Sequence, residues 1–167
     1  MICAEPEVLA DDVLIRPARP GEEEVVLDVL AEAAAWLRGR GIAQWPARFP
    51  VESVRAQIVA GQALLVGDAV ATLAVTEDDD LWDPAPAYYI SRLAVARRAA
   101  GAGLGYRIID WVTDKATEHG KQYVRLATAS NNPALRQYYE KVGFTHVADP
   151  PRARWPTSLY ERRLSAP

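Results

Sequence analysis

Apolar positions along the chain recur at a period of either two or about 3.6 residues, and the switches between the two divide it into short strands and amphipathic helices. Residues 13–18 read as a strand. After the Pro20-Gly21 break, Val26, Leu30, Ala33 and Leu37 recur at helical spacing as far as Gly39 and Gly41. Residues 39–50, with Trp45, Pro46, Arg48 and Phe49, keep neither period and read as an aromatic loop. A shorter helix follows on Val51, Val54 and Ile58 and stops at Gly61. Apolar runs at 63–66 and 69–76 flank Gly67-Asp68, which predicts a two-residue hairpin. The acidic tract 77–86, with Pro84 and Pro86, reads as a solvated loop before a strand at 87–95.

Leu104, Ile108, Trp111, Val112 and Lys115 set the next helix, which His119-Gly120 brings to a stop. A strand at 122–128 precedes Asn132-Pro133, an N-cap and first helical residue, and the helix through Leu135, Tyr138 and Val142 ends at Gly143. Strands at 144–148 and 157–164 close the chain across a proline-rich loop. About seven strands and about four helices therefore alternate within one α/β domain.

With 167 residues, half of them hydrophobic, there is material for one core. The domain is expected to span 13–167, with 1–12 a flexible N-terminal segment. A net charge of -3 without any lysine-rich run excludes a nucleic-acid backbone as principal partner, because that role needs clustered positive charge. The acidic start lacks a basic leader region, and no apolar run is long enough for a membrane span, so a soluble cytoplasmic protein is expected. Cys3 is the only cysteine, and His119 and His146 are the only histidines. No metal site of familiar spacing can be assembled from these, and a Ser-His-Asp triad is improbable.

The chemistry concentrates at 92–106. A strand, a glycine turn and a helix start in that order gather free backbone N–H groups and a positive helix end at one point, which suits a phosphate. Glycine is required where a Cβ would hold phosphate oxygens off the amides. Taken alone, the glycines fit a tight packing turn equally well. No Gly-Lys-Ser/Thr follows for a P-loop, and Gly101, Gly103 and Gly105 do not have the spacing of a dinucleotide fingerprint.

The run Arg92-Leu-Ala-Val-Ala-Arg-Arg-Ala-Ala-Gly-Ala-Gly-Leu-Gly-Tyr106, together with Asn132 and Tyr138-Tyr139-Glu140-Lys141-Val142-Gly143-Phe144, resembles the GCN5-related N-acetyltransferase (GNAT) family. The resemblance covers roughly 88–147 and more loosely the chain from residue 13 onward. It implies a single-domain GNAT-like fold with a central mixed, mostly antiparallel, twisted sheet, and acetyl-CoA as acyl-donor cosubstrate. In such proteins the pantetheine arm lies along the strand, here at Leu93, Ala94 and Val95. The pyrophosphate rests on the amides of Gly101, Ala102, Gly103, Leu104, Gly105 and Tyr106. Ala100 stands where the family usually has Arg or Gln, so Arg97 or Arg98 must supply that charge. Asn132 is both an N-cap and, by the resemblance, a cofactor contact.

The resemblance also implies the mechanism. A backbone N–H near Leu93 polarises the thioester carbonyl, and Tyr139 is the general acid for the leaving thiolate, with Tyr138 the tempting wrong choice. A plain core role for Tyr139 is the competing reading. No glutamate occupies 88–95 as a base, which leaves Ser91 with water, or Asp80 and Asp83 of the loop. Trp45, Tyr89, Ser91 and Trp155 are candidates for an acceptor pocket. The expected function is acetyl transfer to a primary amine of a small molecule by direct attack in a ternary complex. The alternatives are a protein or peptide N-acetyltransferase and a non-catalytic acyl-CoA-binding regulatory domain. The resemblance also allows a homodimer.

Overall fold

A computed structural model of the chain describes residues 1–165; Ala166 and Pro167, the end of the expected domain, lie outside the described residues. Eight strands form one sheet: β1 (Glu7–Ala10), β2 (Val13–Pro17), β3 (Ala63–Val66), β4 (Ala71–Thr76), β5 (Ala87–Val95), β6 (Tyr123–Ala129), β7 (Thr145–Ala148) and β8 (Thr157–Arg163). Their order across the sheet is β1-β2-β3-β4-β5-β6-β8-β7. All neighbours are antiparallel except β5 and β6, which run parallel at the centre. Helices α1 (Glu23–Gly39) and α2 (Val51–Val59) cover one face, and α3 (Leu104–Glu118) and α4 (Pro133–Lys141) the other.

The two faces follow from strand alternation. Tyr88, Ile90, Val124 and Leu126 pack with Ile108, Val112 and Tyr139 under α3 and α4. Ala63, Leu65 and Ala94 pack with Leu27, Leu30, Val54 and Ile58 under α1 and α2. The periodicities that mark the helices in the sequence are thus the stripes that each buries on the sheet.

The count of strands rises from seven to eight because the segment 1–12, expected to be flexible, is ordered. Glu7 to Ala10 form β1 on the sheet edge, turning into β2 at Asp11 with φ +46°. Ile2 and Cys3 are buried beneath it. The Glu7 carboxylate accepts hydrogen bonds from Trp111 Nε1 at 3.2 Å and Lys115 Nζ at 2.9 Å on α3. Burial, with the Glu7 charge adding to it, pushes the Cys3 thiol up to about 11, far from the range of a reactive thiolate.

The hairpin after β3 is also longer than its Gly67-Asp68 signal implies. Val66 pairs with Ala71, so four residues, 67–70, make the turn, with Gly67 at φ +53° and Ala69 at φ +50°. Nor is the acidic tract 77–86 simply solvated. Trp82 is buried from it against Tyr89, with ring centroids 6.2 Å apart, and Arg125 anchors it by donating to the Asp83 carbonyl at 2.8 Å.

Candidate active site

β5 and β6 pair only from Ala87↔Tyr123 to Ile90↔Leu126. Beyond that point β5 stays on β4 and β6 stays on β8, so the two strands diverge. Residues 91–95 therefore present an edge of main-chain groups in the middle of the sheet with no strand beside it among the described residues. A cavity of about 670 Å³ occupies the gap. Ser91 to Val95 line one wall, Leu126 to Thr128 the other, and Leu135 and Tyr139 of α4 the side toward α3.

The β5 wall is bent by a bulge. Ala74 pairs with Ser91 and Thr72 with Ala94, so Leu73 alone is opposed by both Arg92 and Leu93. Arg92 absorbs the extra residue at φ +52°, a left-handed conformation that costs a side-chain-bearing residue roughly 1–2 kcal/mol. Strict alternation from Ile90 would aim Arg92 at the α3 face. The bulge turns it instead toward α2 and the cavity, where its guanidinium carbon sits 3.9 Å over the ring of Phe49. Nη1 donates to Ser53 Oγ and Gln57 Oε1, each at 3.2 Å.

At the end of β5 a short 3-10 turn, Arg97–Ala99, leads into the glycines. Gly101 and Gly103 take φ of +83° and +76°, and a Cβ at either would meet no protein atom within 4 Å. Gly103 is the N-cap of α3 and offers no capping side chain, and the first turn of the helix carries no acid. The N–H groups of Gly101 to Tyr106 donate to no backbone acceptor among the described residues and lie on an exposed or half-exposed surface. Arg98 is engaged elsewhere, donating to the carbonyls of Asp68 at 2.7 Å and Ala69 at 3.3 Å. Arg97 lies over Trp36 at 4.1 Å and lines the cavity end nearest the glycine turn.

Tyr139 is 7% exposed and lines the cavity, and its ring packs on Phe144 and Tyr160. Its hydroxyl makes no hydrogen bond among the described residues, and burial raises its pKa. Tyr138 points elsewhere, toward the start of α3, its hydroxyl 4.0 Å from where a Gly105 Cβ would stand. The Asn132 side chain caps α4, accepting from the Leu135 N–H at 3.2 Å, and does not line the cavity. Thr128, 2% exposed, does line it, and its Oγ1 is buried without a partner among the described residues.

Trp45, Tyr89, Ser91 and Trp155 all line the wider part of the same cavity, so four residues scattered over 45–155 converge there. Tyr89 is held by a 2.9 Å hydrogen bond from Arg125 Nη1 to its hydroxyl. Trp45 packs on Phe49, with centroids 6.0 Å apart. Of the loop acids, Asp79 lines the cavity, while Asp80 and Asp83 are exposed and absent from its wall.

The model of the acetyltransferase (GNAT) family matches residues 30–144 of the chain. The chain belongs to that family. The uncharacterized N-acetyltransferase YesJ of Bacillus subtilis (strain 168) is 27% identical over 154 residues, covering 84% of this chain and 86% of that protein. A GNAT-family acetyltransferase from Listeria monocytogenes 4b F2365 superposes with a TM-score of 0.75 at 24% identity, over 91% of this chain and 95% of that one. The Salmonella typhimurium protein yncA, solved with its cofactor acetyl-CoA, does so with a TM-score of 0.66 at 19% identity, over 94% and 98%.

In this GNAT acetyltransferase, several cavity residues carry no signal in the sequence. Gln44, whose Oε1 is buried without a donor among the described residues, sits in an aperiodic loop. Arg92 occupies a strand position whose alternation points it the wrong way, and only the bulge corrects that. No cluster of potential metal ligands is found among the described residues, and no helix there is long and apolar enough to cross a membrane.

Proposed function

We propose that this acetyltransferase moves the acetyl group of acetyl-CoA to a primary amine of a small molecule, by direct attack while both are bound. The observation that carries this reading is the parting of β5 from β6 beside Tyr139. An unpaired strand edge at 91–95 and the orphaned Thr128 Oγ1 are hydrogen-bonding deficits that an amide-bearing arm such as pantetheine makes good. The free amides of Gly101 to Tyr106, at the N-terminus of α3, suit the pyrophosphate, and the open space over Gly101 and Gly103 lets it approach. Bound there, acetyl-CoA supplies an activated thioester.

The chain's own groups do the rest. The N–H at the bulge, near Leu93, is the donor for negative charge that develops on the thioester oxygen. The Tyr139 phenol, kept protonated by burial, gives its proton to the departing sulfur. Asn132 stays a helix cap that steadies α4 and so Tyr139. The aromatic lining of the cavity favours a small acceptor over a folded protein surface. No carboxylate base stands on β5, so the amine loses its proton through water reached past Ser91.

The test is mass spectrometry of products across a panel of small amines and peptides with acetyl-CoA. Acetylated small amines, with turnover lost in Tyr139→Phe, support the reading. Binding of acetyl-CoA without any product, or transfer to peptides alone, overturns it.

A further inference from the structure

Arg92, the half-buried cation in the acceptor wall, has no counter-ion among the described residues. Arg92 donates through Nη1 to Ser53 and Gln57 and stacks on Phe49, all neutral groups. Its Nε and Nη2 donate to no described residue, although a guanidinium offers five N–H groups in a planar fork. Arg16 and Arg125, by contrast, are each matched with a carboxylate, Glu22 and Glu161, at 2.8 Å, and half-buried Arg136 donates to the Tyr160 hydroxyl and the Ser130 carbonyl. Burial alone pushes the Arg92 guanidinium below its ordinary value, the mark of an uncompensated charge. The chain also holds the residue in a strained backbone conformation to keep it at the wall.

The other cations that line the cavity, Arg97 and Arg154, are exposed to solvent, whereas Arg92 is half-buried. Arg97 lies over Trp36 and Arg154 over Trp155. Asp79, the acid among the lining residues, accepts the Leu81 N–H on its Oδ1 at 2.9 Å. An anion that enters this cavity therefore finds a planar fork of free donors at Arg92, next in sequence to the Leu93 amide.

We propose that Arg92 binds a carboxylate of the acceptor, so that the substrate is an amine bearing a carboxylate close to its reacting nitrogen, an amino acid with an apolar or aromatic side chain. This rests on the acetyl-transfer reading above. A guanidinium and a carboxylate pair through two parallel hydrogen bonds, which fixes orientation as well as affinity. Trp45, Phe49 and Trp155 provide an apolar surface for the side chain, and the buried Gln44 Oε1 provides an acceptor for an N–H of the amine. In the reaction the nitrogen lone pair forms the C–N bond and the C–S electron pair leaves on sulfur. Sulfur takes the Tyr139 proton, and the proton lost from nitrogen returns to Tyr139 through water. The products are an N-acetyl amino acid and CoA thiol.

The experiment uses the full chain, acetyl-CoA, and the proteinogenic L-amino acids beside their amides, with amines lacking a carboxyl group as a third set. Thiol release and product mass are the readouts. An amino acid preferred over its own amide by about 100-fold in kcat/KM is the expected result, since a site built around a charged hydrogen bond rejects the analogue that lacks it. Arg92→Gln is expected to shrink that ratio to below about 10, and Arg92→Lys, which keeps the charge without the fork, to leave it between the two. Amides used as well as acids by the wild-type protein, or an acid-to-amide ratio untouched by Arg92→Gln, overturns the proposal. Acetylation confined to amines without a carboxyl group overturns it while leaving acetyl transfer standing. Failure to bind acetyl-CoA in calorimetry removes the acetyl-transfer reading itself.

Discussion

The Arg16 guanidinium grips the Glu22 carboxylate through two hydrogen bonds of 2.8 Å, tying β2 to the residue that precedes α1. The bond from Arg16, with help from the Arg19 N–H, lowers the Glu22 pKa from 4.5 to about 2. A carboxylate held below its unfolded value adds stability that is complete above about pH 4.5 and is lost as the pH falls toward about 2. With both side chains partly in solvent, the pair contributes about 1 kcal/mol. Urea unfolding should show Arg16→Gln less stable than wild type at neutral pH. The two curves should converge only as the pH falls through about 2, and a gap that persists below that would assign the effect to packing.

Tyr139→Phe removes a hydroxyl that has no hydrogen-bond partner among the described residues, and leaves the ring packing on Phe144 and Tyr160 in place. Thermal stability should therefore hold within about 0.5 kcal/mol, while kcat falls by about 100-fold or more. Tyr138→Phe should leave kcat nearly unchanged. Steady-state kinetics on the pair separates a proton donor from a core aromatic.

The glycines of the turn make a contrasting set. Gly105 lies inside α3 without positive φ, and a Cβ there would be in ordinary contact with the Tyr138 hydroxyl at 4.0 Å. Gly105→Ala should stabilise the free protein by up to about 1 kcal/mol and yet raise the KM for acetyl-CoA, if the added methyl crowds a phosphate held at the start of α3. Gly103→Ala should also raise KM, but it destabilises by roughly 1–2 kcal/mol, since φ is +76°. Melting curves and acetyl-CoA titrations of both variants check the split.

Asn132→Ala strips the cap from α4 and should cost about 1 kcal/mol, whereas Asn132→Ser should restore most of it. Acetyl-CoA affinity measured on the serine variant then reports any further contact made by the carboxamide. An unchanged affinity limits Asn132 to its role as a cap.

Much of this was legible because local rules and global packing agree. The stripes of Val26, Leu30, Ile108 and Val112, the Asn132-Pro133 cap and the glycine turn each appear where a single-residue rule puts them. The failures have a common physical origin in long-range pairing. Glu7 looks like a solvated acid until α3 brings Lys115 and Trp111 to it, across more than 100 residues of chain. Trp82 looks like a loop residue until Arg125 pulls its loop onto β6. Arg92 is hardest to foresee, because nothing beside it in the sequence announces that Leu73 will face two residues.

The parted edge of β5 has a consequence for descent. On the proposed reading its binding surface is made of peptide groups, which every lineage inherits whatever side chains it carries, so mutation at 91–95 would redecorate the walls without erasing the docking rail. Proline alone deletes a rung. Donor recognition as proposed would thereby be insulated from drift, with acceptor preference left free to wander through Trp45, Arg92 and Trp155.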